Sequence, residues 1–353
     1  MEERTLRLLT LTRVPGFGGS RLTRLIRAQG VEDVLQEPRR FLEQIGESAV
    51  SSLETGAAKR EAESIAESAA RLGQTVIGLG STDYPASLGA IYDPPPVLFM
   101  RGALSNGVRR VGIVGARGAT PSGRSMARDL ACGLAQQGVE VVSGLARGID
   151  GAAHEGALLG SGTTLAVLGS SVDIIYPGEH KGLASRIEAR GAVLSELPPQ
   201  TPPVAPQFPS RNRIIVGLCE AVIVVEAGSR SGASITARLA LDEGRDVLAV
   251  PGRPSDPLAY GPNALIRDGA VLIRGLKDVL EHLKLESAPS PGLSSPPDKI
   301  LQQLKDSAVK SIDQLTVDTG LAPPTLMARL CELELSGRIE RLPGTLFRSA
   351  GPA

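Results

Sequence analysis

Between residues 75 and 284, short apolar segments rich in valine and isoleucine alternate with longer segments of helical character. Seven of them stand 23 to 29 residues apart: VGIVG (111–115), VEVVSG (139–144), TLAVLG (164–169), AVLSE (192–196), AVIVVE (221–226), VLAVPG (247–252) and AVLI (270–273). Such near-continuous apolar character indicates strands buried on both faces of a parallel sheet with crossover helices. Two earlier segments, TVIGLG (75–80) and PVLFMRG (96–102), are expected to extend the sheet. The chain is therefore predicted to be an α/β protein with a mostly parallel sheet.

The segment before this sheet, residues 1–72, is predicted to be a small helical domain. Its sequence LTLTRVPGFGGSRLTRLIRAQG resembles a helix-hairpin-helix, in which a glycine turn joins two helices and can point backbone amides at a DNA phosphate. A plain packing domain is the alternative. Residues 1–30 hold six arginines against two glutamates, which would allow a positive face here.

The segment after the sheet divides into two parts. Residues 285–297 are rich in serine and proline and are predicted to be a linker. Residues 298–353 fit three helices and a short strand pair, the pattern of a winged helix. Seven acidic and seven basic residues balance in this last domain, whereas a module that reads a DNA groove should be more basic. The pattern therefore favours a protein-contact or structural role.

The amino-acid composition indicates more about the protein's cellular compartment than about its binding partner. Lysine plus arginine and aspartate plus glutamate are both 38, so a negatively charged partner would have to meet a local patch. The three cysteines, Cys132, Cys219 and Cys331, lie far apart with no CxxC spacing, which fits a reducing cytoplasm and argues against a disulfide framework or a zinc site. The N-terminus does not resemble a signal peptide, and no segment approaches 18 apolar residues, so no membrane span is expected.

The first candidate binding segment is IVGARGATPSG, residues 113–123. A strand ending at Gly115 is followed by a tight turn and by a helix expected to begin near Pro121, whose N-terminal amides would attract an anion. Arg117 in this turn would aim a guanidinium at the same anion, because its fork matches phosphate oxygens. The spacing differs from the dinucleotide fingerprint G-x-G-x-x-G, which disfavours a nicotinamide cofactor. A structural ion pair of Arg117 is the alternative.

The second segment, SGLARGIDGAAH (143–154), poses a choice between a catalytic centre and an anion cradle. Ser143 and Gly144 end a strand, and the turn that follows carries Arg147. Asp150 is expected to be the N-cap of the next helix, with His154 beside it at the i, i+4 spacing. Because no nucleophile elbow and no metal-ligand spacing accompany this pair, we interpret Asp150 and His154 as structural. The turn, residues 143–148, is predicted to face a phosphate.

The third segment, FPSRNRIIVGL (208–218), follows a proline-rich stretch that must be extended. Phe208 is expected to lie in a loop, where its ring could stack on a base. Arg211, Asn212 and Arg213 are expected to begin a helix, where two cations oppose the helix dipole unless an anion or an acid compensates. Glu226, at the end of a strand, is a candidate for that internal acid.

These motifs share one location, because ligands bind beyond the carboxyl ends of the strands in an open parallel sheet. Lys181, in YPGEHKGL, adds a further cation near a strand end, although taken alone it would be a solvated surface lysine. The edge thus collects five cations, amide-rich loops and one aromatic, without an acid–base pair. Several phosphates in a row would explain that many cations without chemistry.

The same residues carry a family resemblance. The chain resembles the DprA/Smf family (DNA processing protein A) in YPASLGAIYDPPPVLFMRG, VGIVGARGAT, SGLARGIDGAAH, LAVLGSSVDIIYP, FPSRNRIIVGL, SGASITARLA and VLAVPG. These matches run in order over roughly residues 80 to 275. The flanking segments resemble the family's N-terminal helical domain and C-terminal winged helix, through much less specific motifs.

The resemblance implies a Rossmann-like, homodimeric single-stranded DNA-binding protein without turnover chemistry. It implies that the protein protects incoming single strands during natural transformation and loads the RecA recombinase, displacing or working around the single-stranded-DNA-binding protein. In this sequence the family's DNA pocket corresponds to Arg117, Ser143, Gly144, Lys181, Phe208 and the Arg211–Asn212–Arg213 segment. The family's dimer face lies around residues 220 to 275, where no short motif fixes the contacts.

Two alternatives from other classes stay open. Related Rossmann-like enzymes hydrolyse nucleoside monophosphates with a P-G-G-x-G-T loop and a following glutamate, whereas here Pro251 and Gly252 are followed by Arg253 and Pro254. A passive architectural protein could bind duplex DNA through the end domains. The favoured interpretation is a DNA-binding protein with no catalytic residue, cofactor or metal.

Overall fold

The computed structural model describes residues 1–16, 18–229, 231–285, 299–304, 309–321, 323–335, 339–342 and 346–349. They divide into two compact units, residues 1–286 and residues 287–353. The predicted linker, apart from residue 285, and Phe17 of the predicted hairpin turn lie outside the described residues.

The first unit is built on a sheet of nine strands, and each strand forms where the sequence predicts one. The strands are β1 Thr75–Gly78, β2 Val97–Gly102, β3 Arg110–Val114, β4 Glu140–Ser143, β5 Thr164–Val167, β6 Ala192–Ser195, β7 Ala221–Val224, β8 Asp246–Ala249 and β9 Val271–Leu272. Their order across the sheet is β1-β2-β6-β5-β4-β3-β7-β8-β9. Strands β3 to β9 pair in parallel, whereas β1 and β2 add an antiparallel extension next to β6.

Fourteen α-helices of this unit surround the sheet within the described residues. They are α1 Glu3–Thr12, α2 Ser20–Gln29, α3 Val31–Gln36, α4 Leu42–Ile45, α5 Glu47–Glu54, α6 Ala57–Arg71, α7 Ala86–Gly89, α8 Pro121–Gln136, α9 Ile149–Leu159, α10 Lys181–Glu188, α11 Gln207–Leu218, α12 Gly232–Asp242, α13 Tyr260–Arg267 and α14 Leu276–His282. Short 3₁₀ turns cover Pro38–Phe41 and Gly178–His180.

Both faces of the sheet are covered, which explains why its strands are apolar at almost every position. Side chains alternate between faces along a strand. In β3, Ile113 packs towards α8, α9 and α14, whereas Val114 packs towards α7, α11 and α12. Each buried aliphatic side chain of this kind stabilises the fold by roughly 1.5–3 kcal/mol.

The strand order creates a crevice at the centre of the sheet. After β3 the chain moves outward through β4, β5 and β6, and then returns to place β7 on the other side of β3. Loops that leave β3, β4 and β7 at their carboxyl ends therefore diverge over opposite faces. This topological switch point is where open α/β sheets bind ligands.

The N-terminal helices pack on this sheet. Leu8 and Leu9 of α1 share a buried cluster with Val97 and Phe99 of β2. The boundary predicted at residue 72 stays a prediction. Charge is partly neutralised in this region, because Arg7 pairs with Glu3 and Glu32, and Arg13 pairs with Glu61.

The second unit has the winged-helix arrangement, with one strand more than the sequence predicts. Its elements are α15 Lys299–Gln303, β10 Lys310–Ser311, α16 Ile312–Thr319, α17 Pro323–Leu335, β11 Ile339–Leu342 and β12 Leu346–Ser349. The sheet order is β10-β12-β11. Ser311 starts α16 with a capping box, in which its hydroxyl accepts from the amide of Gln314 and the side chain of Gln314 accepts from the amide of Ser311.

The described residues of both units contain no helix that is long and apolar enough to cross a membrane.

Candidate nucleic-acid interface

A cleft of about 660 Å³ opens at the switch point, where the sequence motifs meet. Its walls come from the loop after β3, the loop after β4, the approach to α11 and the start of α12. The residues that line it are Val114, Gly115, Ala116, Arg117, Ala146, Asp150, Tyr176, Pro203, Ala205, Phe208, Pro209, Arg211, Asn212, Ile215, Gly228, Ser231, Gly232, Ala233, Thr236 and Leu258. The lining is mostly apolar, with a few polar groups at defined positions.

The loop after β3 brings Arg117 to the mouth of the cleft. Gly115 is required at its start, because a Cβ atom there would lie 2.5 Å from Ile149 and 2.9 Å from the carbonyl oxygen of Glu226. The exposed guanidinium of Arg117 lies 5.0 Å from the centre of the Phe208 ring, a cation–π contact. No ion pair holds Arg117 within the described residues, so its charge faces the cleft.

The anion site predicted at the start of α8 is already filled from within the protein. Helix α8 does begin at Pro121, but the carboxylate of Glu226 accepts from the amide of Thr120 at 2.9 Å and from its hydroxyl. The Thr120 hydroxyl in turn accepts from the amide of Gly123. Two predictions are therefore wrong: these amides are not available to a ligand, and Glu226 does not pair with Arg211 or Arg213.

The turn after β4 directs two amides inward. The Asp150 carboxylate accepts from the amides of Gly144 at 3.1 Å and Ala146 at 3.4 Å. The N-cap of α9 is Gly148, and Asp150 lies in the first turn of that helix, so the predicted N-cap role is wrong. The prediction that the turn of residues 143–148 faces a phosphate is corrected as well, because the amides of Gly144 and Ala146 already bind the Asp150 carboxylate.

His154 does not pair with Asp150, contrary to the i, i+4 expectation. It is fully buried, and its Nδ1 lies 2.8 Å from the hydroxyl of Thr164, which donates to the carbonyl of Val141. Burial, together with the nearby charges of His180 and Arg211, lowers the pKa of His154 to about 3. A neutral buried imidazole of this kind joins α9 to β5.

Arg211 is a buried cation with internal partners. Its Nη1 donates to the carbonyl of Gly144 at 2.9 Å and to the carbonyl of Val167, and burial lowers its pKa to about 10. Burial raises the pKa of Asp150, and the positive charge of Arg211 partly offsets that rise. A Cβ atom on Gly144 would lie 2.4 Å from this guanidinium, so a larger residue there would require the buried Arg211 side chain to move.

Arg213 is held by two carboxylates. It donates to Glu196 at 2.6 and 2.8 Å and to Asp93 at 3.1 Å. Although burial opposes the charge, these carboxylates raise the pKa of Arg213 above its ordinary value. It does not line the cleft, whereas its neighbour Asn212 does and accepts from the Nε of Arg211.

The helix that carries these residues starts earlier than the sequence predicts. Helix α11 begins at Gln207, so Phe208 lies in its first turn rather than in a loop, and Arg211 to Arg213 lie in its second turn. Phe208 is half-buried and packs against the backbone of Gly169. The ring of Tyr176 lies 5.7 Å from that of Phe208, at an angle of 50°.

The remaining predicted residues lie at the rim, outside the cleft, or behind it. Arg147 is exposed and pairs with Glu179 through two hydrogen bonds, and it borders a small cavity beside Arg117 and Tyr176. Lys181 is exposed at the start of α10 and does not line the cleft. Ser143 is buried and donates to the carbonyl of Ile113 at 2.6 Å.

The structure thus brings Gly115, Arg117, Phe208, Arg211 and Asn212 together around one cleft. Sequence reasoning missed Tyr176, although its place in the segment LAVLGSSVDIIYP, at a strand end, was a usable signal. The strand, Gly/Ser loop and helix start that the sequence indicates over residues 224–240 also reach the cleft, because Ser231 and Gly232 at the start of α12 line it.

Fold and cleft together define a Rossmann-like α/β protein with a ligand site at its topological switch point and a winged-helix unit after it. A sequence model of the DNA recombination-mediator protein A family matches residues 75–284, and one of the DprA winged helix domain matches residues 284–345. The chain belongs to this family, also known as DprA/Smf, which confirms the resemblance read from the motifs.

Known relatives agree with this assignment. Protein Smf of Escherichia coli K12 is 40% identical over 288 residues, which cover 77% of each chain. The X-ray structure of DNA processing protein A from Streptococcus pneumoniae superimposes with a TM-score of 0.69 at 33% identity, covering 80% of this chain and 98% of that one. The structure of DNA processing protein A from Helicobacter pylori, described for its unique single-stranded DNA binding mode, gives a TM-score of 0.54 at 29% identity, covering 60% and 95%.

Proposed function

We propose that this protein binds single-stranded DNA without sequence preference, in the cleft at the switch point. The observation that carries the proposal is the exposed guanidinium of Arg117 next to the aromatic pair Tyr176–Phe208. A cation for the phosphate and a ring for the base are the two groups that sequence-independent single-strand binding requires. The Helicobacter pylori relative, whose structure was described for its single-stranded DNA binding mode, supports the same ligand.

We further propose that the protein acts without turnover chemistry. Asp150 is the carboxylate in the cleft lining, and it is engaged by two backbone amides beside Arg211. His154 is buried, and its low pKa keeps it neutral. Neither group is placed to exchange a proton with a ligand in the cleft, which is what general acid–base catalysis requires. The proposed function includes no catalytic residue, cofactor or metal.

The cellular role proposed here follows the family. The protein would protect incoming single strands in the cytoplasm during natural transformation, act as a homodimer, and help to load the RecA recombinase on strands that hold the single-stranded-DNA-binding protein. Membership of the DNA recombination-mediator protein A family supports this placement in recombination.

The direct test is a titration of a fluorescent oligo-dT with wild-type protein and with Arg117→Ala at several salt concentrations. We expect weaker binding by the variant and a plot of log K against log salt that is less steep by about 0.7 for each phosphate that the variant no longer neutralises. Arg186→Ala is the matched control, since Arg186 is an exposed arginine of α10 outside the cleft. Circular dichroism melting checks that each variant is folded.

Three further ligands separate the competing functions. Duplex DNA bound more tightly than oligo-dT would favour an architectural protein that uses its end domains. Release of nucleobase from a nucleoside monophosphate would favour a hydrolytic enzyme. Oligo-dT binding that is identical for wild type and Arg117→Ala at every salt concentration would remove Arg117 from the binding site.

A further inference from the structure

Two aromatic rings lie at the mouth of the cleft, and they differ in accessibility. Phe208 is half-buried, with the Arg117 guanidinium 5.0 Å from its ring centre and the backbone of Gly169 against its edge. Tyr176 has 41% of its surface exposed. Because a base needs an uncovered ring face, the accessible stacking surface at this site belongs to Tyr176.

The position of Tyr176 fits a ligand contact better than a packing role. It borders both the main cleft and the smaller cavity next to it, which Arg117 and Arg147 also line. Its ring centre lies 5.7 Å from that of Phe208, and Arg147 lines the same small cavity. The ring therefore packs against a half-buried aromatic, which restricts its motion and reduces the side-chain entropy lost when a base stacks on it.

The groups around Tyr176 are of the two kinds that a single strand needs, cations for its phosphates and a ring for a base. Arg117 and Arg147 line the same small cavity as Tyr176, so a phosphate held by either guanidinium would leave the adjoining base near this ring. Stacking of this kind tolerates any sequence, because every base has a π face.

We propose that Tyr176 is the base-stacking residue of this cleft, and that Phe208, which is itself in cation–π contact with Arg117, supports the Tyr176 ring. The proposal rests on the proposed function, since it names the part of a single strand that this aromatic contacts. It divides the site into a phosphate contact at Arg117 and a base contact at Tyr176, which two different probes can test separately.

The experiment compares Tyr176→Ala with wild type on two probes of equal length, a fluorescent oligo-dT and an abasic oligonucleotide with the same phosphates. We expect Tyr176→Ala to weaken oligo-dT binding roughly 5- to 150-fold, the range for removal of one base–aromatic stack, and to leave abasic binding within about twofold. Tyr176→Phe should bind oligo-dT like wild type, because the ring is retained. Tyr92→Ala is the matched control, since Tyr92 is 61% exposed outside the cleft.

A spectroscopic readout adds a test that does not depend on affinity. The chain has four tyrosines and no tryptophan, so its intrinsic emission is tyrosine emission. A base stacked on Tyr176 should quench part of this emission in wild type at saturating oligo-dT, and Tyr176→Phe should lose that quenching while it still binds.

The outcomes separate this proposal from the function on which it rests. No binding of either probe by wild type would overturn the proposed function itself. Wild-type binding of both probes with equal affinity, or an equal loss on both probes in Tyr176→Ala, would overturn the stacking role and leave single-strand binding intact. Loss of oligo-dT binding in Tyr176→Leu, which keeps an apolar side chain without a ring, would support stacking over simple bulk.

Discussion

The turn between β4 and α9 separates two sets of charged residues that look alike in the sequence. Behind it, Asp150, His154 and Arg211 are buried: Asp150 accepts from backbone amides, Nδ1 of His154 bonds to a threonine hydroxyl, and Arg211 donates to backbone carbonyls. In front of it, Arg117 and Arg147 are exposed. Both sets belong to short motifs near strand ends, yet only the second set is exposed to solvent.

The comparison shows that charge at a sheet edge is not the same as charge available for binding. A buried guanidinium must be compensated within the protein, because an unpaired buried charge is strongly destabilising. Arg211 meets that requirement with backbone carbonyls and helps to shape the cleft, whereas Arg213 meets it with carboxylates and does not line the cleft. In the proposed function, the electrostatic contact with a phosphate therefore depends mainly on Arg117.

The largest effect is expected from Arg211→Ala, which removes the cation from the buried group of Asp150, His154 and Arg211. It leaves the carbonyls of Gly144 and Val167 without a donor and Asp150 without a nearby positive charge. We expect a loss of about 3–5 kcal/mol in the free energy of unfolding, measured by urea denaturation. Arg117→Ala, the control, should change it by less than about 0.5 kcal/mol. Unchanged stability with lost DNA binding would instead place Arg211 in the ligand contact.

An intermediate effect, a loss of folding stability as pH falls, is expected from His154. Its pKa is about 3 in the folded protein, lowered first by burial, against an ordinary value of 6.5. Between these values the unfolded chain holds a proton that the folded chain lacks, so stability is lost as pH falls through 6.5 towards 3. From about pH 7 to about pH 5 we expect His154 to account for a loss of about 2 kcal/mol.

The measurement for His154 is the difference between wild type and His154→Gln in chemical denaturation at the two pH values. Taking the difference cancels the contribution of Asp150, whose raised pKa acts in the opposite direction. Parallel pH dependence of the two proteins would mean that His154 titrates normally in the folded state.

The smallest effect is expected from Arg147→Ala, which removes one of the two exposed arginines, Arg117 and Arg147. Arg147 is already paired with the exposed Glu179, so its charge towards a phosphate is partly neutralised. We expect a smaller loss of oligo-dT affinity than for Arg117→Ala, with unchanged thermal stability. Glu179→Gln is the complementary variant and should strengthen binding slightly. A loss in Arg147→Ala as large as in Arg117→Ala would make the two arginines equal partners.

Much of the fold was predictable, for a local reason. Each strand coincides with an apolar segment a few residues long, and the regular spacing of these segments requires crossover helices and a parallel sheet. The antiparallel pairing of β1 and β2 with β6 was not predictable, because the direction of an added edge strand depends on the path of the chain between residues 78 and 97.

The candidate site was predictable in its position and less so in its roles. Gly115, Arg117 and Phe208 border the cleft as expected from motifs at strand ends. Arg213 was misread because its partner Asp93 lies 120 residues earlier, and Tyr176 was missed because its neighbour Phe208 lies 32 positions later in the sequence. Only contacts between distant segments reveal such partners.

The sequence by itself determined the α/β class, the strands, the edge at which they converge and the set of cations and aromatics brought there. These follow from hydrophobic period and from motifs that are continuous along the chain. Tertiary structure alone decided that Arg211 and Arg213 are buried, that Glu226 fills the start of α8, and that Tyr176 and Arg117 are exposed. The physical reason is that a charge or a ring takes its role from its solvent exposure and its partners, and both are set when segments far apart in the sequence pack together.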